Sequence, residues 1–480
     1  MDLTEAPSPL RQIADLPGPR GLPVMGNAHQ IKTHRVHLDV EQWARAYGPF
    51  FRFRLGPMTV LGITDHEVIA SVMKNRPDGF RRPPRTSAIA AEMGMKQGVF
   101  AAEGQAWRDQ RRMVMASFAP NHVRAYFTSL LKVTQRLRGR WQRAARSGSA
   151  IPLQADLMRY TVDGVAGLAF GNDMNTLESD EEVIQHHLDK LFPALFRRIF
   201  TRIPYWRVLR LPADRELDRS MLAINQAIDG FVAQARARMH AQPELREHPG
   251  NLLEAMIAAA DLGDSNVSDQ QVAGNVLTML LAGEDTTANT LAWLIYLLHR
   301  NPQALQRVTD EVRRVAPDPT AFTPEQMDSL PYLEACASET MRLKPVAPFI
   351  PFEALRDTTL GDVHVPAGTY VWCVLRHDSV SESHFPNAQA FDPERWLRDT
   401  EGAPGASSPK RVAMPFGAGP RVCPGRYLAM LELKMAMAML LASFDIERVG
   451  TADGSEPREN MAFSMGPVGL ELRLREVAPG

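Results

Sequence analysis

The sequence predicts a mainly α protein with small β-sheets. Three observations carry that expectation. Apolar residues recur at helical period through most of the 480-residue chain, strand-like alternation is confined to short runs, and no βαβ alternation joins those runs. Phe51-Arg52-Phe53-Arg54, a Gly56-Pro57 turn and Thr59 to Ile63 read as a hairpin. Leu470, Leu472 and Leu474 alternate with Glu471, Arg473 and Arg475 near the end. Helical periodicity covers Leu38 to Tyr47, Gln105 to Ser117, Leu153 to Phe170, Asp180 to Phe192, Ala213 to Met239, Leu252 to Ala260, Pro302 to Val315, Leu333 to Leu343 and Arg426 to Phe444. The longest element starts at Ser268-Asp269-Gln270-Gln271, where a glutamine three residues after a serine forms a capping box. It runs to Asn301-Pro302, about 34 residues or roughly 50 Å at helical rise, enough to cross a whole domain.

Length alone allows two or three domains. A 45% hydrophobic composition without linker or repeat instead suits a single large domain over residues 1–480, with a proline-rich segment over residues 1–30 and a loose stretch from Gly402 to Pro409. The formal charge of −1 offers no case for nucleic acid or an anionic membrane. Three cysteines, at 336, 373 and 423, cannot frame a disulfide scaffold and suit a reducing compartment. Zinc motifs of the C-x-x-C and H-E-x-x-H kind are absent, and His34/His37 and His186-His187 lack a metal cage's spacing. The most apolar window, Val276 to Leu298, has Glu284 and Asp285 at its centre, so no transmembrane anchor and a cytoplasmic location are expected.

Two segments fit poorly with pure packing. Phe416-Gly417-Ala418-Gly419-Pro420-Arg421-Val422-Cys423-Pro424-Gly425 isolates one cysteine in a glycine-rich loop that opens into a helix. A helix N-terminus favours an anionic sulfur and is expected to lower its thiol pKa; a cysteine that merely packs is the alternative. In the long helix, Ala282-Gly283-Glu284-Asp285-Thr286-Thr287 sets a glycine, two acids and two threonines among apolar neighbours. Threonines bonded back to helix carbonyls, with the acids on a solvated face, are the alternative there.

The cysteine loop resembles the haem-ligand pattern F-x-x-G-x-R-x-C-x-G of the cytochrome P450 superfamily, and the helix segment resembles its A-G-x-D-T-T motif. The resemblance implies the cytochrome P450 fold, with the long central helix over haem b and Cys423 as axial ligand of the haem iron. Ala282 and Gly283 would clear space above the haem, Asp285 and Thr286 would deliver protons, and Phe416, Arg421 and Gly425 would complete the cysteine loop, Arg421 by pairing with a propionate. Trp107 and Arg111, spaced W-x-x-x-R, would hold a propionate; a surface arginine beside a core tryptophan is the alternative. Glu-x-x-Arg occurs at Glu216/Arg219, Glu311/Arg314, Glu339/Arg342 and Glu353/Arg356. By position Glu339 and Arg342, with Arg395 from Pro393-Glu394-Arg395, would form a buried structural triad. A proline-rich turn over 345–351 and strands over 354–374 separate the two parts.

The same resemblance implies a monooxygenase of the soluble bacterial type that inserts one oxygen atom from O₂ into an apolar substrate. The pocket would draw on Ile89, Met93, Met95, Phe100, Met279, Val346, Ala347, Phe349, Met465 and Val468. About 55 residues follow Gly425, too few for a flavin or iron–sulfur domain. Electrons are therefore expected from a ferredoxin or flavodoxin with its NAD(P)H-dependent reductase, docking on Arg108, Arg112, Arg426 and Lys434. A peroxide-driven peroxygenase, a haem-thiolate isomerase or dehydratase, and a haem-based ligand sensor are the rival functions. Phe196 to Pro212, rich in arginine and aromatic residues, is either a substrate lid or a solvated connector.

Overall fold

The Gly56-Pro57 hairpin forms as the sequence predicts, pairing Phe50–Leu55 with Met58–Ile63. Alternation places Phe51 and Phe53 in the core and Arg52 and Arg54 outside. The computed structural model describes residues 10–118, 124, 126–171, 174–178, 187–201, 203–263, 265–398 and 408–477. Most of the expected helix from Asp180 to Phe192, most of the loop from Gly402 to Pro409 and the first residues of the proline-rich segment lie outside them. The chain divides into two units: Met1–Pro83 with Ala347–Ala388 and Gly405–Val422, and Pro84–Val346 with Gln389–Pro404 and Cys423–Gly480.

The first unit is built on a five-stranded sheet in the order Phe50–Leu55, Met58–Ile63, Tyr370–Val374, Phe349–Ala354, Phe80–Arg81. The second and third strands run parallel and the other neighbours antiparallel. A strand over Phe349–Ala354 corrects the expected turn at 345–351. Proline is tolerated at Pro351 because the neighbouring edge strand covers only Glu353 and Ala354, leaving an open side for a residue with no N–H. The helices Val36–Tyr47 and His66–Lys74 belong to this unit. Its core joins Leu61, Ile63, Ile69, Val72, Phe352, Val371 and Cys373.

The second unit is helical. The central helix spans Asp269–Arg300, 32 residues, with Ser268 and Gln271 closing the expected capping box. Gly104–Ser117, Leu153–Phe170, Pro212–Ala241, Leu252–Ala260, Pro302–Val315, Pro331–Leu343 and Arg426–Ser443 lie within two residues of the bounds the periodicity predicts. Phe127–Ser147 is a helix the reading missed. Leu130, Val133, Leu137 and Trp141 give it a buried stripe, but six Lys and Arg residues crowd the intervening positions. Leu470–Glu476 pairs with Phe444–Thr451 and with Ile151–Pro152, and Glu459–Met461 with Met465–Pro467. No helix among the described residues is long and apolar enough to cross a membrane.

Candidate active site

The central helix is held in register by its own polar residues. Asn275 accepts from the backbone N–H of Val99 at 2.9 Å and donates to Gln110 at 2.8 Å, linking it to the 97–99 segment and to the helix Gly104–Ser117. Gly274 lets the Gln97 backbone come so close that a Cβ would sit 2.5 Å from its carbonyl oxygen. About two and a half turns further on, a Cβ at Gly283 would run into the side chain of Val165, so Leu153–Phe170 packs tightly there. Thr161 of that helix donates to the Glu284 carbonyl at 2.8 Å.

Between these anchors the helix opens. Leu277, Leu280 and Leu281 are buried, and so are Thr287 to Leu294, yet Ala282 is exposed and Asp285 and Thr286 are half-buried. Asp285 is held by two uncharged partners: Asn289 donates to Oδ1 at 2.9 Å and Ser464 donates to Oδ2. Burial raises its pKa above the ordinary carboxylate value, and the Ser464 and Asn289 bonds oppose that shift. Burial, reinforced by Asp189 and Asp285, pushes Glu284 well up. Thr286 Oγ1 donates to the Ala282 carbonyl at 2.6 Å, the back-bond anticipated as the alternative, but the acids beside it are not on a solvated face. The hydroxyl oxygen keeps its acceptor capacity.

Cys423 is half-buried two residues before Gly425 caps the helix Arg426–Ser443. Its thiol pKa is raised, contrary to the expected depression. Burial outweighs the opposing Gly425 N–H and the Arg111 and Arg426 charges. Gly425 has φ −83°, and a Cβ there would meet nothing nearer than 3.9 Å, so the residue keeps space free but relieves no strain. Gly419 is different: φ is +72° and a Cβ would lie 2.7 Å from Lys74 Cα and the Met73 carbonyl. In the first unit, Gly419–Arg421 is a single 3-10 turn with Phe416 and Arg421 half-buried. In the second, Trp107 is buried and Arg111 half-buried. Burial lowers the Arg111 pKa and the neighbouring Cys423 raises it. The other thiols are fully buried, Cys336 in a helix and Cys373 in a strand, and burial pushes both up.

Glu339, Arg342 and Arg395 meet in the second unit. Arg342 grips Glu339 with two bonds of 2.8 and 2.7 Å, Arg395 adds one of 3.0 Å, Trp396 Nε1 and the Asp392 N–H add one each of 2.9 Å, and Glu339 and Arg342 are fully buried. Of the expected pocket residues in the second unit, Ile89, Met93, Met279 and Met465 are buried, Met95, Phe100 and Val346 half-buried, and Val468 is exposed at 38%. In the first unit Phe349 is buried and Ala347 exposed. The reading missed Phe463, whose ring lies 4.4 Å from Phe192 in a stack and 5.8 Å from Phe100. It also missed Ser464 and Asn289. Phe463 has φ +92°, a conformation bulky side chains rarely adopt.

Arg108, Arg112 and Arg426 are exposed. Lys434 is not: it is buried and paired with Glu334 at 2.6 Å, which removes it from the expected docking face. Its position faces the helix bundle, where a long stem can be covered while the ammonium reaches a carboxylate. Phe196 and Trp206 are buried, with Trp206 donating to Glu92 at 3.0 Å, whereas Ile203 and Val208 are 76% and 94% exposed. Among the described residues no group of three potential ligands includes Cys423. A lone sulfur suits a metal that brings its other ligands with it, as iron in a porphyrin does, and the exposed Ala282 carries only a methyl group.

A family model described as Cytochrome P450 matches residues 16–474. The chain is 26% identical to "Protein LUTEIN DEFICIENT 5, chloroplastic" of Arabidopsis thaliana, over 90% of this chain and 72% of that protein. It is 27% identical to "Carotene epsilon-monooxygenase, chloroplastic" of the same plant, over 86% and 77%. The solved haem domain of cytochrome P450DA superposes with a TM-score of 0.84 at 23% identity, covering 98% of this chain and 99% of that one.

Proposed function

The chain belongs to the cytochrome P450 family of haem b monooxygenases, and from that premise we propose that Cys423 is the haem-iron ligand, that Asp285 and Thr286 deliver protons, and that the substrate is apolar. The observation that carries this reading is the break in burial along the continuous central helix, where a tethered acid and a threonine border an exposed Ala282. Bound haem supplies the oxidising chemistry by which one atom of O₂ enters the substrate and the other leaves as water.

The chain's own residues prepare that chemistry. The Gly425 amide and the Arg111 and Arg426 charges favour the sulfur as an anion. In this reading Trp107 and Arg111 hold a propionate, Arg421 pairs with a propionate, Phe416 belongs to the cysteine loop, and Ala282 and Gly283 leave room for the ring. Asp285, whose carboxyl pKa burial raises, and the Thr286 hydroxyl carry protons in this reading. Phe100, Phe192, Phe463, Ile89, Met93, Met279 and Met465 supply apolar contact for substrate and exclude water.

The Glu339, Arg342 and Arg395 triad is structural in this reading and braces the fold around the haem. Residues 1–480 form one haem domain, a reading supported by the single haem domain that superposes on nearly all of the chain. Electrons come from a ferredoxin or flavodoxin with its reductase, docking on exposed Arg108, Arg112 and Arg426. The three unpaired cysteines suit a cytoplasmic setting. The test is Thr286→Ala: haem and substrate should bind as before while reducing equivalents drain to peroxide. Unchanged coupling of electron use to product would remove the proposed role.

A further inference from the structure

In the first unit, away from every residue assigned above, two histidines converge on one carboxylate oxygen. We propose that His66, Asp378 and His384 form a binding site for a divalent transition cation such as zinc. His66 Nδ1 lies 3.1 Å and His384 Nε2 3.3 Å from Asp378 Oδ2, and the two rings meet edge to face with centroids 4.7 Å apart. The same oxygen already accepts the His66 backbone N–H at 3.0 Å. Three nitrogens therefore crowd one oxygen that has two lone pairs.

As hydrogen bonds alone this is poor economy, because two imidazoles compete for one remaining lone pair. A cation among them lets each ring present its own lone pair and lets the carboxylate present its charge. The spacing agrees. Zinc holds nitrogen and oxygen ligands at about 2.0–2.1 Å in a tetrahedron, whose edges are then about 3.3 Å; the observed edges to Asp378 are 3.1 and 3.3 Å. His377 Nδ1 meets the other carboxylate oxygen at 3.1 Å, the kind of outer partner that orients metal ligands. His66 and Asp378 are buried, while the His384 side chain is 22% exposed, leaving a path in and a fourth position for water.

The placement gives such a cation a structural consequence. His66 opens the helix His66–Lys74, and Asp378 lies in Leu375–Ser379, so the ion would clamp two helices whose contacting residues are 312 positions apart in sequence.

The experiment uses the haem-loaded protein, stripped of loose metal by a chelator and then titrated with zinc sulfate. One zinc per haem iron is expected. His384→Ala should bind it more than about 10-fold more weakly, and His377→Ala about 10-fold to 100-fold more weakly, as outer-partner losses do. Zinc-edge X-ray absorption, which haem iron does not obscure, should show two imidazole nitrogens and one oxygen near 2.0–2.1 Å. An intact Soret band confirms that a variant is folded; if His384→Ala loses it, the isosteric Asp378→Asn is read in its place. Absence of bound zinc, equal affinity in the folded variant, or sulfur in the zinc shell would each overturn the site.

Discussion

Replacing Arg342 by alanine is expected to unload haem and destabilise the fold without touching the reacting atoms. Glu339 receives five hydrogen bonds, two of them from Arg342, and Arg342 also donates to the Ala390 carbonyl at 3.1 Å. The substitution leaves the carboxylate buried with Arg395, Trp396 and one amide, and leaves Ala390 short of a donor. Two charged hydrogen bonds at about 1.5–3 kcal/mol each amount to roughly 3–6 kcal/mol, in line with about 3–5 kcal/mol for breaking a buried ion pair. That is a large share of the roughly 5–15 kcal/mol that holds a domain folded. The assay is guanidinium unfolding followed by the Soret band, with haem content measured on purification. Arg342→Lys should fall between wild type and alanine, because an ammonium restores charge but not the two-pronged grip. Normal haem content and an unshifted unfolding midpoint in Arg342→Ala would refute the reasoning.

Cys423→Ser should abolish the red-shifted Soret band of the reduced carbon monoxide complex; its survival would mean that another group ligates the iron. Ser464→Ala removes a bond that favours the Asp285 carboxylate, so the Asp285 pKa should rise further. If turnover requires ionised Asp285, the acid limb of the rate profile should move to higher pH, and an unmoved limb would detach Asp285 from the rate. Arg112→Glu should slow reduction by a redox partner, most visibly at low salt where charges act beyond about 10 Å, with substrate affinity unchanged. Lys434→Glu should instead lower stability, since the lysine is buried against Glu334; equal effects of the two reversals in stopped-flow reduction and in melting would contradict this division.

Local signals carried most of the fold. The Ser268 capping box, the Gly56-Pro57 hairpin and the 3.6-residue periodicities each depend on residues a few positions apart, and they place the corresponding elements within two residues. Of the four Glu-x-x-Arg pairs, Glu339 and Arg342 are fully buried and bonded to each other, with Arg395 beside them. What stayed hidden depends on distant packing. Ser464 reaches Asp285 across 179 positions and His66 reaches Asp378 across 312, and no local pattern announces either. Lys434 reads as a surface charge until the packing buries it. The Cys423 pKa was misread because helix-end electrostatics are visible in sequence whereas burial is not.

The short turn that joins Glu459–Met461 to Met465–Pro467 carries two messages on adjacent residues. Phe463 contributes a ring to the aromatic wall, and Ser464 holds the acid of the central helix. The backbone at 463 sits in a conformation a phenylalanine rarely adopts. On the proposed function, a substrate that seats against Phe463 would bear on the residue next to the one that holds Asp285.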